Sequence, residues 1–430
     1  MRDLILIVIV VAGCLAALKR PWIGVMLWTW LSLMNPHRYT YGIALTAPLA
    51  AMAAACLLMG FLISKEKTSP FKGRPVTYFV LFIVWITFSW LLGVDVIHDY
   101  EQWKKVMKIN GMLLIALMIL RSKRDIFALI WVSAMSLAVL GAKGGLFTLL
   151  TGGSERVWGP PGTFIGDNNE FALALVMVIP FLRFLQLQVL NVWGKRALMG
   201  LMLLCAVAAL GSQSRGALLA ISAMSATLWW RGTHKIQTAI FLLVMAVPIV
   251  VFMPDSWSSR MSTIQTYNTD ESAMGRINAW WQAWNIAQSY LTGVGFNPAT
   301  AELYARFAPN PDMVLAAHSI YFQVMGNHGF VGLLIFLCIW FSTWFMASSL
   351  RNQKKPLPQT QWCADLGSMC QVSLVGYAIG GAFLSLAYFD FPYIVMVVVV
   401  LSKHWLEKES WKQEPTPTKK WWELPGLALK

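Results

Sequence analysis

Residues 121–156 read RSKRDIFALIWVSAMSLAVLGAKGGLFTLLTGGSER. Three cations, Arg121, Lys123 and Arg124, precede a run, 126–150, whose one charged residue is Lys143, and a glycine-rich polar stretch follows. An apolar run of that length matches the ~20 residues a helix needs to cross a bilayer core. In lipid a helix also satisfies its own backbone hydrogen bonds. The cations at one end mark that end as cytoplasmic, because Lys and Arg accumulate in the loops that stay inside. The stretch therefore predicts a membrane helix that enters from the cytoplasm and leaves into an outer loop.

The alternation continues in both directions. Apolar runs occupy 4–18, 42–64, 77–94, 107–120, 126–150, 170–189, 197–211, 216–230, 236–253, 329–349 and 368–389, with 391–402 close behind. Basic loops fall at 65–74, 121–124, 195–196, 231–235, 351–355 and from Lys403 onward. With these inside, 95–106, 151–169, 212–215 and 254–328 lie outside. The predicted architecture is an all-α polytopic membrane protein of about twelve transmembrane helices with both ends cytoplasmic and a long, partly helical periplasmic loop. Arg2 and Lys19-Arg20 conflict with counting 22–34 as a further full crossing, so the first two runs read as a broken or tilted pair. The first run has no small-residue cleavage site and reads as a retained signal anchor. The chain divides into N-terminal helices (1–150), central helices with outer motifs (151–253), the large outer loop (254–328), C-terminal helices (329–405) and a disordered cytoplasmic tail (406–430).

Composition agrees: 57% of the 430 residues are hydrophobic and 13% charged, about half the charge of a soluble domain. The net charge of +14 is spread over loops on one side of the helices, which argues for sidedness and against a nucleic-acid partner. Six cysteines (14, 56, 205, 338, 363 and 370) show no CxxC spacing, and read as buried small hydrophobes rather than disulfides or a metal site.

In the outer loop, 273–289 (AMGRINAWWQAWNIAQS) places Met274, Ile277, Trp281, Trp284 and Ala287 at helical spacing. This predicts an amphipathic interfacial helix with Trp280, Trp281 and Trp284 at headgroup level. Gly293-Val-Gly295 ends it and lacks the strand and third glycine of a dinucleotide turn.

Arg215 lies in GSQSRG at the outer end of a helix, away from every cytoplasmic basic cluster. It reads either as a snorkelling side chain or as a guanidinium fixed to grip a phosphate. Ser212, Ser214 and Gly216, which add small donors and close backbone access, favour the anion site. Arg276 opens the helix of the outer loop, where it reads as a solvated charge or as a functional one. His318, in AAHSIY before a C-terminal helix, reads as a capping or packing histidine, or as an external general base. His328, in GNHG, reads as a turn residue. The stretch 156–170, RVWGPPGTFIGDNNE, leads into a helix with Asp167 or Asn168 as N-cap. Arg156, Asp167, Asn168, Asn169, Ser214 and Tyr321 are candidate substrate contacts. Lys143 and Asp390 are suspects because charges within or beside membrane helices are seldom idle.

GSQSRG closing one outer loop, Gly275-Arg-Ile-Asn-Ala-Trp-Trp with a later Gly293-Val-Gly295, and AHSIY before GNHGF together resemble the O-antigen ligase and polymerase superfamily. The likeness covers roughly 150–345, and the N-terminal third is most similar to the O-glycosylation ligases associated with exosortase systems. The resemblance implies a metal-independent, cofactor-free glycosyltransferase of the GT-C type in the inner membrane of a Gram-negative bacterium. Its donor would be an undecaprenyl-diphosphate-linked glycan and its acceptor a sugar hydroxyl of lipid A-core. Arg215 and Arg276 would neutralise the diphosphate and His318 would act as base. Ser319 stands where asparagine is common in the superfamily. A polymerase or a protein O-oligosaccharyltransferase would use the same donor and the same three residues. Two rivals come from outside this chemistry: a lipid-linked oligosaccharide flippase, and a metal-dependent glycosyltransferase built on Asp95, Asp99 and Glu101.

Overall fold

The computed structural model describes residues 2–65, 67–231, 235–236, 271–353 and 356–412. The described residues build fourteen main helices. They are α1 (Arg2–Lys19), α2 (Pro21–Met34), α3 (Leu49–Ile63), α4 (Arg74–Leu91), α5 (Val96–Ile119), α6 (Lys123–Leu150) and α7 (Asn168–Gln188). Then follow α8 (Val192–Gly211), α9 (Arg215–Arg231), α10 (Glu271–Ser289), α11 (Ala301–Phe307), α12 (Ile320–Arg351), α13 (Gln361–Gly380) and α14 (Asp390–Glu407). Six of them, α4, α6, α7, α8, α12 and α13, are long and apolar enough to cross a membrane, and α2 and α3 are shorter apolar helices. Residues 237–253 of the run 236–253 and the part of the outer loop up to 270 lie outside the described residues.

Local chemistry explains the boundaries. Ser122 and Asp125 close a capping box at the start of α6, and Asp167 and Asn191 cap α7 and α8 through their side chains; such caps satisfy the orphan amides of a first turn. The run 42–64 is split into a single turn, Ile43–Thr46, and α3, because Pro48 at the N-cap cannot donate to a helix continuing through it. The stretch 95–106, expected as an outer loop, is instead the start of α5. Asp95 caps it by accepting from the His98 N–H, and Asp99 is buried against the Phe296 N–H. Polar residues here have partners inside the protein, which hydropathy cannot register.

Helix α7 sits at the centre: every residue from Phe171 to Val178 is buried, as an all-round apolar helix must be. Helices α6, α8 and α13 surround it. At the perimeter, Leu81, Val84 and Phe88 of α4 and Leu334, Phe341 and Phe345 of α12 are exposed, the apolar surface that lipid would cover. Helix α12 is bent at Gly329, whose φ of 69° leaves the helical region.

The two ends differ in chemistry. Lys72, Arg74 and Lys403 gather around one groove, at the end where α6 begins with Lys123 and Arg124 and α12 finishes with Arg351. The opposite end carries the segments 151–167, 211–215, 290–319 and 381–389.

Candidate functional site

That opposite end is stitched together by buried polar bonds. Asn168 Nδ2 donates to the Ser212 carbonyl (2.7 Å), Arg156 Nε to Gln213 Oε1 (3.4 Å) and Gln213 Nε2 to the Gly153 carbonyl (3.2 Å). Gln213 takes a positive φ of 56° to make this turn. Ser214 Oγ accepts from the Ala217 N–H, capping α9 (3.2 Å), which leaves Arg215 at the helix mouth. Gly216 rests against Phe383 and the Gly380 carbonyl, so Arg215 lies beside the 381–389 turn.

The segment leading to His318 is held by α10. Asn278 Nδ2 donates to the carbonyls of Asn310 (2.8 Å) and Met313 (3.2 Å), and its Oδ1 accepts from the Asn310 N–H. Trp280 Nε1 donates to the Ala317 carbonyl (2.7 Å) while its ring stacks on Phe322 at 4.9 Å. Met274 is 41%, Trp281 54% and Trp284 40% exposed, so these side chains stand on the outer side of the helix. The face that packs inward is Gly275, Asn278, Ala279, Gln282, Ala283 and Ile286. That face packs mainly on α12, where Ala283 lies against Gly326, while Asn278 and Gln282 reach the carbonyls of Asn310, Met313 and Pro298. Trp280, expected at headgroup level, is an internal bracket.

His318 itself adopts φ 42°, a left-handed conformation that costs a side-chain-bearing residue about 1 kcal/mol or more. Its Nδ1 lies 3.9 Å from Glu170 Oε1, too far for a hydrogen bond; the carboxylate charge it feels is that of Asp167. Glu170 receives the Ser385 N–H. Burial and the Arg276 charge hold the His318 pKa below the usual histidine value, against an upward pull from Asp167. Burial raises Asp167, but hydrogen bonds from Glu170 and from the backbone and side chain of Asn169, with the His318 charge, bring its carboxyl below the normal range. Ser319 Oγ is buried, and no hydrogen-bond partner meets it among the described residues.

The structure thus brings Arg276, His318, Asp167 and Glu170 together, with Arg215 beside the shared 381–389 turn. Asn168 and Arg156 join the two loops, and the Tyr321 hydroxyl donates to the Ala378 carbonyl (2.8 Å). Glu170 closes the 156–170 stretch, which reads as a helix cap or as a source of amides and carboxylates for sugar hydroxyls; a carboxylate in the first turn of an otherwise apolar helix is its own sequence signal. His328 is fully buried, its Nδ1 2.7 Å from Ser89 Oγ and its Nε2 2.7 Å from the Tyr388 hydroxyl. Both nitrogens are occupied, so it serves the packing of α12. Gly293 and Gly295 are positive-φ residues pressed against the Asn327 backbone and the Asp99 carboxylate. Of the acids proposed as metal ligands, Asp99 bonds the Phe296 N–H, Glu101 pairs with Lys104 at 2.6 Å and Asp95 with His98 at 2.7 Å.

Residues 200–337 match the O-antigen ligase family, the region that holds Arg215, Arg276 and His318. Residues 1–188 match a family of unknown function. No curated protein matches this chain.

Proposed function

We propose that this chain, a multi-pass membrane protein of the O-antigen ligase and polymerase superfamily, transfers an undecaprenyl-diphosphate-linked glycan to a sugar hydroxyl of lipid A-core. It does so on the periplasmic face of a Gram-negative inner membrane, as an inverting glycosyltransferase of the GT-C type that needs no metal. The observation that carries this reading is the convergence of His318, Glu170 and Arg276 at the end of the bundle remote from the basic loops.

The chemistry follows from those groups. A neutral His318, its Nδ1 turned to Glu170, offers Nε2 as base. It takes the proton from the acceptor hydroxyl as that oxygen attacks the anomeric carbon, and the Asp167 carboxylate, which Glu170 holds by a donated hydrogen bond, stabilises the imidazolium that forms. The bond from the anomeric carbon to the diphosphate oxygen breaks, and its electron pair leaves with the diphosphate. Arg215 and Arg276 neutralise that growing charge in place of a cation. Attack from the face opposite the leaving group inverts the carbon.

The test is transfer by the purified protein from polyprenyl-diphosphate glycan to lipid A-core, with and without EDTA. Chelator-resistant transfer should fall ~10²–10⁴-fold in His318→Gln. Unchanged transfer in that variant sinks the base assignment. Chains that lengthen while still on the carrier would assign a polymerase instead.

A further inference from the structure

A second charged locus lies at the same end, outside the site just described. A cavity of about 240 Å3 is lined by Ser32, His37, Arg38, Lys105, Lys108 and Asp390. Its cations come from two elements: Arg38 follows α2, and Lys105 and Lys108 stand one turn apart on α5. The one carboxylate, Asp390, is buried and accepts a hydrogen bond from Ser32 Oγ. Lys105 Nζ lies 3.8 Å from the centre of the Phe164 ring, and the Arg38 guanidinium packs on Gly162. His37 Nδ1 is buried with no hydrogen-bond partner among the described residues. Lys143 extends the cluster, with its Nζ 4.2 Å from the centre of the Tyr39 ring. Of the two charges that hydropathy left unexplained, Asp390 lines this cavity and Lys143 stacks on Tyr39, the residue that follows Arg38.

Position gives this cavity a use. Ile165 lines it and Asp167 stands beside His318; two residues of chain span at most about 7 Å. On the other side Phe389 and Asp390 line it, in the connection whose Ser385 touches Glu170. Two connections, 165–167 and 385–390, thus run from this cavity to the carboxyl groups beside His318. Three cations against one internally bonded carboxylate favour an anion, and Ser32 and Thr163 add groups that bond hydroxyls.

We propose that the Arg38, Lys105 and Lys108 cavity is the acceptor-side subsite, holding a phosphate or carboxylate of the acceptor glycan so that a neighbouring hydroxyl reaches His318. This rests on the transferase reading above. It is tested by binding to the full-length protein in phosphatidylcholine nanodiscs, with three separate probes: lipid A carrying its acidic inner-core sugars, phosphatidylglycerol and undecaprenyl diphosphate. In Lys105→Gln/Lys108→Gln the lipid A probe should bind about tenfold more weakly, while undecaprenyl diphosphate binds as in the wild type. Lys105→Arg/Lys108→Arg should restore lipid A binding, which separates charge from folding. Unchanged lipid A binding in the glutamine variant overturns the proposal, as does equal weakening of phosphatidylglycerol, which would assign the cavity to a bilayer headgroup. Loss of undecaprenyl diphosphate binding there would make it a donor site and overturn it too. If instead Arg215→Gln leaves undecaprenyl diphosphate bound while the lysines still govern lipid A, the donor assignment fails and the acceptor subsite stands.

Discussion

At His318 opposing influences meet: burial and the Arg276 guanidinium lower its pKa, and Asp167 raises it. A general base works unprotonated, so transfer is lost as pH falls through that pKa. Removing a positive neighbour makes protonation easier. Arg276→Gln should therefore move the acid limb of the pH–rate profile to higher pH, besides weakening donor turnover, and Asp167→Asn should move it to lower pH. Limbs that stay in place in both variants would show that His318 does not set the profile. Glu170 donates a hydrogen bond to Asp167 and acts on the base through it, so Glu170→Ala should reduce kcat at least about tenfold with little change in donor KM, while Glu170→Gln, which keeps an N–H donor, should retain most of it. A change in KM alone would reduce it to a structural contact. The resemblance marked Arg215, Arg276 and His318 as one set and left Asp167 as a helix cap or substrate contact; the structure sets Asp167 and Glu170 beside His318 and Arg276. Their meeting depends on the Asn278 and Trp280 brackets and the Ser385 N–H, contacts between segments far apart in the chain, and no local pattern encodes them.

Helix α12 carries His318 before its first turn and bends at Gly329, where a Cβ would stand 2.2 Å from the Leu291 carbonyl. Gly293 answers it from the other chain, with a Cβ position 2.3 Å from the Asn327 carbonyl. Either glycine changed to alanine meets backbone that cannot give way and adopts a φ that alanine disfavours. Each should lower stability by roughly 1–3 kcal/mol, seen as a lower Tm of the detergent-solubilised protein. Gly111 and Gly200 lie inside α5 and α8 with open space where a Cβ would go, and alanine there should stabilise by up to about 1 kcal/mol. Equal effects at all four positions would refute the backbone account of the bend. Elements of this kind were half legible. The spacing in 273–289 predicted a helix, and one forms; small and apolar side chains pack its inner face on α12, and Asn278 and Trp280 tie it to carbonyls of 310–317 that no local pattern points to. The start of α5 was hidden for the same reason, since Asp99 has its partner at Phe296.

For the molecule as a whole, hydropathy and loop charge carried the reading furthest, because the bilayer constrains every long apolar run in the same way. They could not foresee where Pro48 breaks a run or that polar residues extend α5 beyond its apolar part. Helix α12, with 32 residues, is about 48 Å long at 1.5 Å per residue, enough to join both surfaces of a membrane. Asp312 is exposed shortly before its start and Asn352 just after its end. The sidedness implied by the basic loops can be read on those two positions, in a background with the six native cysteines replaced by alanine. Asp312→Cys should react with a membrane-impermeant maleimide added to intact spheroplasts. Asn352→Cys should react only after the membrane is opened, because it neighbours the basic end. The reverse pattern would place His318, Glu170 and both arginines in the cytoplasm. There the loop charges would run against the usual inside bias, and a donor presented on the outer leaflet could not reach the base.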